Sequence, residues 1–319
     1  MKHMYMNTRC GYMRIIAGLM VMVMIIVAIS INPAFYSYVW AEDEELKESD
    51  IVTAGAAGPD IDTPSAILME SKTGQIIYEK DASKQLAPAS ITKIMTLILI
   101  FDALESGQIK MEDPVTVSEH AASMGGSQVY LSEGEQISVE ELLKAVCVSS
   151  GNDAAVALAE QVAGVTELFV QQMNNRAMEL GMGDTHFVNP TGLPAEGHVT
   201  SAWDIALMSR ELILRHPDIR RFTTIWMDSI RGGEFGLSNT NKLIRFYDGA
   251  TGLKTGSTDA AGYCISATAE REGMELIAVV LGSETSQQRF VVMARLMRPG
   301  ETITEVSITP NTDFKRPQL

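Results

Sequence analysis

The sequence predicts an α+β protein: an antiparallel sheet backed by helices, with a helical subdomain inserted between its strands. Three observations carry that expectation. Short apolar runs separated by turn-forming residues open the body, a long middle third has helical spacing, and strand patterns return near the end before one last helix. A regular alternation of strand and helix is absent, which excludes a doubly wound parallel fold.

Taken in order, Ser65–Glu70 and Gln75–Glu79 are short apolar runs on either side of Ser71-Lys72-Thr73-Gly74, and so read as a hairpin. Pro88 and Ser90 announce a helix whose apolar positions Ile91, Ile94, Met95, Leu97, Ile98 and Phe101 form one broad buried face. Helical spacing continues over 139–148, 153–162, 166–180 and 202–214, with the loop Asn189-Pro190-Thr191-Gly192-Leu193-Pro194 before the last of these. Residues 263–268 and 276–281 are bridged by Glu270-Arg271-Glu272-Gly273 and read as an antiparallel pair that follows a Lys254-Thr255-Gly256 strand. A helix from about Ser286 to Arg298 ends at Pro299-Gly300.

The 319 residues suffice for a full core and one to two domains, and 46% apolar with 20% charged residues is ordinary for a globular chain. The net charge of -15 argues against nucleic acid and against an anionic bilayer as partners of the folded body. Lys2, Arg9 and Arg14 precede an apolar run from Ile15 to Ile31, and Val39-Trp40-Ala41 offers a cleavage site. Residues 1–41 therefore read as a signal peptide, or as an uncleaved N-terminal membrane anchor; either places the body outside the cytoplasm. Residues 42–61 read as an acidic linker and 62–298 as the folded body. Of three cysteines, Cys10 lies before the apolar run, while Cys147 and Cys264 sit among apolar neighbours and read as buried thiols. His3, His120, His186, His198 and His216 show no metal-ligand spacing, so neither a metal nor a cofactor is expected.

Three short strings carry the chemistry: Ser90-Ile91-Thr92-Lys93, Ser150-Gly151-Asn152 and Lys254-Thr255-Gly256. Each alone is equally well explained as a helix cap, a turn or a strand end. Together, in this order and at element boundaries, they supply what a serine acyl-transferase without a catalytic histidine needs. A helix starting at Ser90 puts its hydroxyl and the Lys93 amine on one face. To act as a base near pH 7, Lys93 needs its pKa lowered by about three units, roughly 4 kcal/mol, through burial and a second cation, for which Lys254 is the candidate. Ser150 can pass a proton to a leaving amine while Asn152 holds substrate; Gly256 admits a substrate backbone and Thr255 hydrogen-bonds a terminal carboxylate.

These residues closely resemble the low-molecular-mass penicillin-binding proteins of the serine D-alanyl-D-alanine carboxypeptidase type. The resemblance covers roughly residues 60–298. It rests also on Ala87-Pro88-Ala89 before Ser90, Gly125-Gly126-Ser127, Asp153-Ala154, Met173-Asn174 through Leu180-Gly181-Met182, Phe187-Val188-Asn189-Pro190 with Gly192-Leu193, and Gly252-Leu253 before Lys254. It implies a β-lactamase/transpeptidase-like fold, with Ser90 as the acylated nucleophile, Lys93 as general base and Ser150 as proton shuttle. Asn152, Lys254, Thr255 and Gly256 are then substrate-binding, the backbone amides of Ser90 and Ser257 form the oxyanion hole, and Arg289 helps to bind the carboxylate. The implied reaction removes the terminal D-alanine of a peptidoglycan stem pentapeptide, and β-lactam antibiotics acylate the same serine. The family's usual C-terminal β-rich domain is not expected in residues 299–319, a short polar tail. Two alternatives stand beside this reading. One is a penicillin-binding sensor or scaffold with little turnover; the other is a serine β-lactamase, which normally has aspartate where Gly151 stands.

Overall fold

The computed structural model describes residues 61–297. The expected signal or anchor (1–41), the acidic linker apart from Ile61, and the tail (299–319) lie outside the described residues. Among the described residues, no helix is long and apolar enough to cross a membrane.

Five antiparallel strands form the main sheet: β1 (Ser65–Glu70), β2 (Ile76–Lys80), β7 (Ala250–Thr258), β8 (Gly262–Arg271) and β9 (Met274–Ser283), in the order β2-β1-β9-β8-β7. The first hairpin thus joins the last three strands through β1 and β9, with Ser65 opposite Leu281 and Glu70 opposite Leu276. Both faces of the central strands are covered, which is why 276–281 reads as an unbroken apolar run. Ile67, Met69, Ile277, Val279 and Leu281 belong to the large core shared with the helices. Ala66, Leu68, Ala278 and Val280 alternate with them and are equally buried, so they belong to the opposite face.

The helices fall close to where periodicity places them: α3 (Val139–Ser149), α4 (Asn152–Ala163), α5 (Thr166–Glu179), α6 (Ala202–Arg215) and α9 (Ser286–Leu296). Side-chain caps fix several starts. Ser138 accepts from the Glu141 N–H, Ser201 from that of Asp204 and Thr285 from that of Gln288. Helix α6 is tied to the sheet by the buried hydroxyl pair Ser209–Ser266 at 2.8 Å.

Two expectations are corrected. The α-helix expected from Ser90 begins at Lys93 as α1 (Lys93–Glu105), after a 3₁₀ turn over Ala89–Thr92. Its buried set is not one face either: Lys93, Ile94, Met95, Thr96, Leu97, Ile98, Ile100, Phe101 and Ala103 are all buried, because α1 is a central helix surrounded by others. Two small ribbons have no counterpart in the sequence reading: β3 (Pro114–Thr116) with β4 (Gln136–Ser138), and β5 (Met227–Ile230) with β6 (Phe235–Ser238). Strands of three or four residues are too short to show a period. The remaining short helices are α2 (Glu119–Ala122), α7 (Arg220–Thr223) and α8 (Leu243–Phe246).

Candidate active site

The 3₁₀ turn serves the chemistry better than an α-helical start, since residues i and i+3 eclipse one another at three residues per turn. Ser90 therefore stands directly beside Lys93, with Oγ 2.9 Å from Nζ. Two other chain segments close on this turn. Gly192, at φ +85, passes so near that a Cβ there would lie 1.8 Å from the Ala89 carbonyl oxygen. On the other side Gly256 of β7 lies against the same turn, where a Cβ would come within 2.8 Å of the Ser90 nitrogen. Only glycine fits at either place. The backbone amide of Ser90 is thus brought alongside the strand that continues into the exposed Ser257.

Lys93 is fully buried, and its amine has three polar contacts: Ser90 Oγ at 2.9 Å, Asn152 Oδ1 at 2.6 Å and the Thr191 carbonyl at 2.8 Å. The latter two are pure acceptors. A neutral amine has two N–H groups for them and one lone pair, which is then left for the hydroxyl proton of Ser90. Electrostatics favour the same form: burial holds the Lys93 pKa well below the ordinary lysine range, the Lys254 charge lowers it further, and only Asp153 opposes.

Helices α3 and α4 meet at Ser150-Gly151. Ser150 ends α3 in the left-handed conformation, φ 63 and ψ 27, and is 4% exposed. Asn152 opens α4, with its N–H donating to the Ser127 carbonyl at 2.7 Å and its side-chain amide to the Gly125 carbonyl at 2.6 Å. The Asn152 side chain is thus fixed within the protein, its oxygen on Lys93 and one of its two N–H groups on the Gly125 carbonyl. Asp153 anchors the preceding loop, accepting from the N–H groups of Val129 and Leu131.

Lys254 is buried on β7 and donates to its neighbour's carbonyl, Thr255 O, at 2.9 Å. Burial lowers its pKa to about 7; the nearby Cys147 thiol works against this and the Arg289 charge adds to it. Its neighbour Thr255 is tied to the end of α3 through Thr240, whose hydroxyl oxygen lies 2.7 Å from Thr255 Oγ1 and whose N–H donates to the Val148 carbonyl at 3.1 Å. Burial pushes the Cys147 thiol up to about 12 and the Cys264 thiol up to about 11, and both are free thiols, as expected. Arg289 of α9 donates to the carbonyls of Gly256 at 3.1 Å and Cys264 at 3.3 Å, behind the Thr255–Ser257 stretch.

Several participants were missed by the sequence reading. Thr191 was visible only as part of a turn-rich loop, and nothing local reveals that its carbonyl reaches Lys93. His198 ties that loop to the reactive turn: its Nδ1 accepts from the Val188 N–H at 3.1 Å, so Nε2 carries the proton and donates to Thr92 Oγ1 at 2.9 Å. Burial keeps His198 neutral, with a pKa of about 4. His216 pairs with Asp102 at 2.9 Å, and Glu105 lies close enough to complete a metal-ligand set, but Arg215 already sits 3.3 Å from Asp102 and 3.2 Å from Glu105.

A family model described as D-alanyl-D-alanine carboxypeptidase matches residues 52–285. The D-alanyl-D-alanine carboxypeptidase DacF of Bacillus subtilis is 49% identical over 236 residues, covering 73% of this chain and 60% of the relative. DacC of Escherichia coli is 38% identical over 270 residues, covering 80% and 66%. The chain thus spans between three fifths and two thirds of the length of these relatives. Among solved structures, penicillin binding protein 6B of Escherichia coli superposes with a TM-score of 0.71 at 36% identity, over 75% of this chain and 77% of that one. Penicillin-binding protein D2 of Listeria monocytogenes in its ampicillin-bound form gives 0.70 at 32%, over 76% and 98%.

Proposed function

The chain belongs to the D-alanyl-D-alanine carboxypeptidase family, and from that premise we propose that it removes the terminal D-alanine from peptidoglycan stem pentapeptides through an acyl-enzyme on Ser90. The observation that carries this is the set of partners around the Lys93 amine, two carbonyl acceptors and one hydroxyl. That set fits a neutral base aimed at the proton of Ser90.

In the reaction, Lys93 Nζ takes the hydroxyl proton as Ser90 Oγ attacks the carbonyl between the two D-alanines. The backbone amides of Ser90 and Ser257 receive the oxyanion; losing one such donor typically costs about 2.7–4 kcal/mol. Ser150 relays the proton held by Lys93 to the leaving nitrogen, the C–N bond breaks, D-alanine departs and the Lys93 amine is neutral again. Water then attacks the acyl-enzyme, giving one proton back to Ser90 Oγ through Lys93 and leaving the tetrapeptide carboxylate. Lys254, Thr255 and Arg289 hold the carboxylate end of the substrate, and Gly256 on the edge strand β7 admits its backbone. Asn152 orients Lys93 and the substrate wall together.

β-Lactams acylate the same serine, a reading supported by the ampicillin-bound and cefotaxime-bound forms of the Listeria protein. Because stem peptides lie outside the cytoplasm, the proposal includes export through residues 1–41, cleaved or retained as an anchor, with 62–298 as the peptidase body. The test compares the purified protein with Ser90→Ala on a stem pentapeptide and on labelled penicillin. D-Alanine release and a stable adduct, both lost in the variant, are expected. An adduct without release would point instead to a sensor, and rapid hydrolysis of penicillin to a β-lactamase.

A further inference from the structure

The loop 188–193 supplies the Thr191 carbonyl on which the Lys93 amine rests, yet packing alone does not hold it in place. One side of it lines a pocket of about 400 Å³ together with Met124, Val156 and Val170, so no close-packed layer backs the loop there. Within itself the loop is stiff. Asn189 Oδ1 accepts from the N–H groups of Thr191 and Gly192 and from the Thr191 hydroxyl, and the Asn189 amide donates to the Leu193 carbonyl at 2.9 Å. A loop bonded in this way moves as a unit, so a tie at its start also decides where the Thr191 carbonyl lies.

Thr96 Oγ1 of α1 makes one such tie, donating to the Pro190 carbonyl at 2.7 Å. The buried His198 makes another, accepting from the Val188 N–H and donating to Thr92, the buried residue beside Lys93 in the turn that carries Ser90. The ring is fixed from behind. Phe187 meets it edge-on with centroids 5.9 Å apart, and the chain just after it is locked by paired N–H···O bonds between Val199 and His186 and between Thr200 and Leu86. We propose that His198 is a positioning residue for the acylation of Ser90: its two nitrogens set the span between Thr92 and Val188, and thereby hold the Thr191 carbonyl against the Lys93 amine. This rests on the reading of Ser90 as the acylated group and Lys93 as its base. Neutral imidazole suits the task because it carries an acceptor and a donor at a fixed separation, with no rotatable bond between them.

The test follows labelled penicillin on the wild type, on His198→Leu, His198→Gln and Thr92→Val, and on the double variant of His198→Leu with Thr92→Val. Misplacing a reacting group by about 1 Å costs up to about a hundred-fold. His198→Leu and the isosteric Thr92→Val should therefore each lower the saturating acylation rate by about ten- to a hundred-fold. The dissociation constant before acylation and the final labelled fraction should not move. The double variant should be no slower than the slower single one, because both cut the same strut. Glutamine, whose amide offers one acceptor and one donor, should recover most of the rate. An unchanged rate, a loss confined to the labelled fraction, multiplying losses in the double variant, or glutamine no better than leucine would overturn the proposal. If the wild type takes no label at all, the acyl-enzyme reading fails by itself. Hydrogen exchange at the Val188, Thr191 and Gly192 amides then decides the role of His198: Thr92→Val should speed it at all three, and unchanged exchange refutes the strut.

Discussion

Lys254→Met removes a buried ammonium at nearly constant side-chain volume, and the structure sets the size and pH dependence of the result. The fall of the Lys254 pKa from 10.5 to about 7 corresponds to a penalty on the charged form of about 5 kcal/mol, at about 1.4 kcal/mol per pH unit. Against this, the variant leaves the Thr255 carbonyl without the donor now 2.9 Å away, which costs about 1–3 kcal/mol. The net expectation is a protein more stable than the wild type by about 2–4 kcal/mol at pH 6. Between pH 7 and 10.5 the unfolded chain binds a proton that the folded chain does not, so wild-type stability rises with pH across that window and the advantage of the variant fades. Urea unfolding at pH 6, 8 and 10 measures the difference, and labelled-penicillin acylation measures the loss of function. Removal of the neighbouring charge also raises the Lys93 pKa, so the acid limb of the acylation profile is expected to move to higher pH. A variant less stable than the wild type at pH 6, or a gap that does not change with pH, would refute the reasoning.

Asp153→Asn should shift the same acid limb the opposite way, because the Asp153 carboxylate is the group that opposes the lowering of the Lys93 pKa; a shift to higher pH would contradict the electrostatic account. Gly192→Ala places a Cβ 1.8 Å from a backbone oxygen and forces a left-handed alanine, so a loss of at least about 2 kcal/mol and of penicillin labelling is expected, both absent if the loop can yield. His198→Gln should flatten acid sensitivity. The native pKa of about 4, below the ordinary 6.5, means that stability present above pH 6.5 is lost as pH falls through 4, amounting to about 3 kcal/mol, and unfolding between pH 4 and 7 checks the slope.

Much of this was legible before any coordinates. The main helices and strands were readable because each buries an apolar face with a period of its own, and their ends carry local signals such as Ser138, Ser201 and Thr285. The three strings were readable because their residue types, order and boundary positions restrict the chemistry. Less legible was the start of α1, where a 3₁₀ turn and an α-helix demand the same residues. The ribbon of β3 and β4 was hidden too, since three residues carry no period.

By itself, then, the sequence determined the α+β class and the sites of most elements, and singled out the serine, the lysines and the strand proposed for the site. What only the tertiary structure decided is how these groups are tuned. Whether Lys93 is charged depends on burial and on Lys254, 161 positions away, and the Thr191 carbonyl and the Asn152 amide that hold its amine in place are announced by no local pattern. The pairing of Thr240 with Thr255 is equally non-local. Periodicity and capping act over a few residues and leave a trace in the chain; desolvation, Coulomb coupling and carbonyl direction arise only when distant segments are packed against one another.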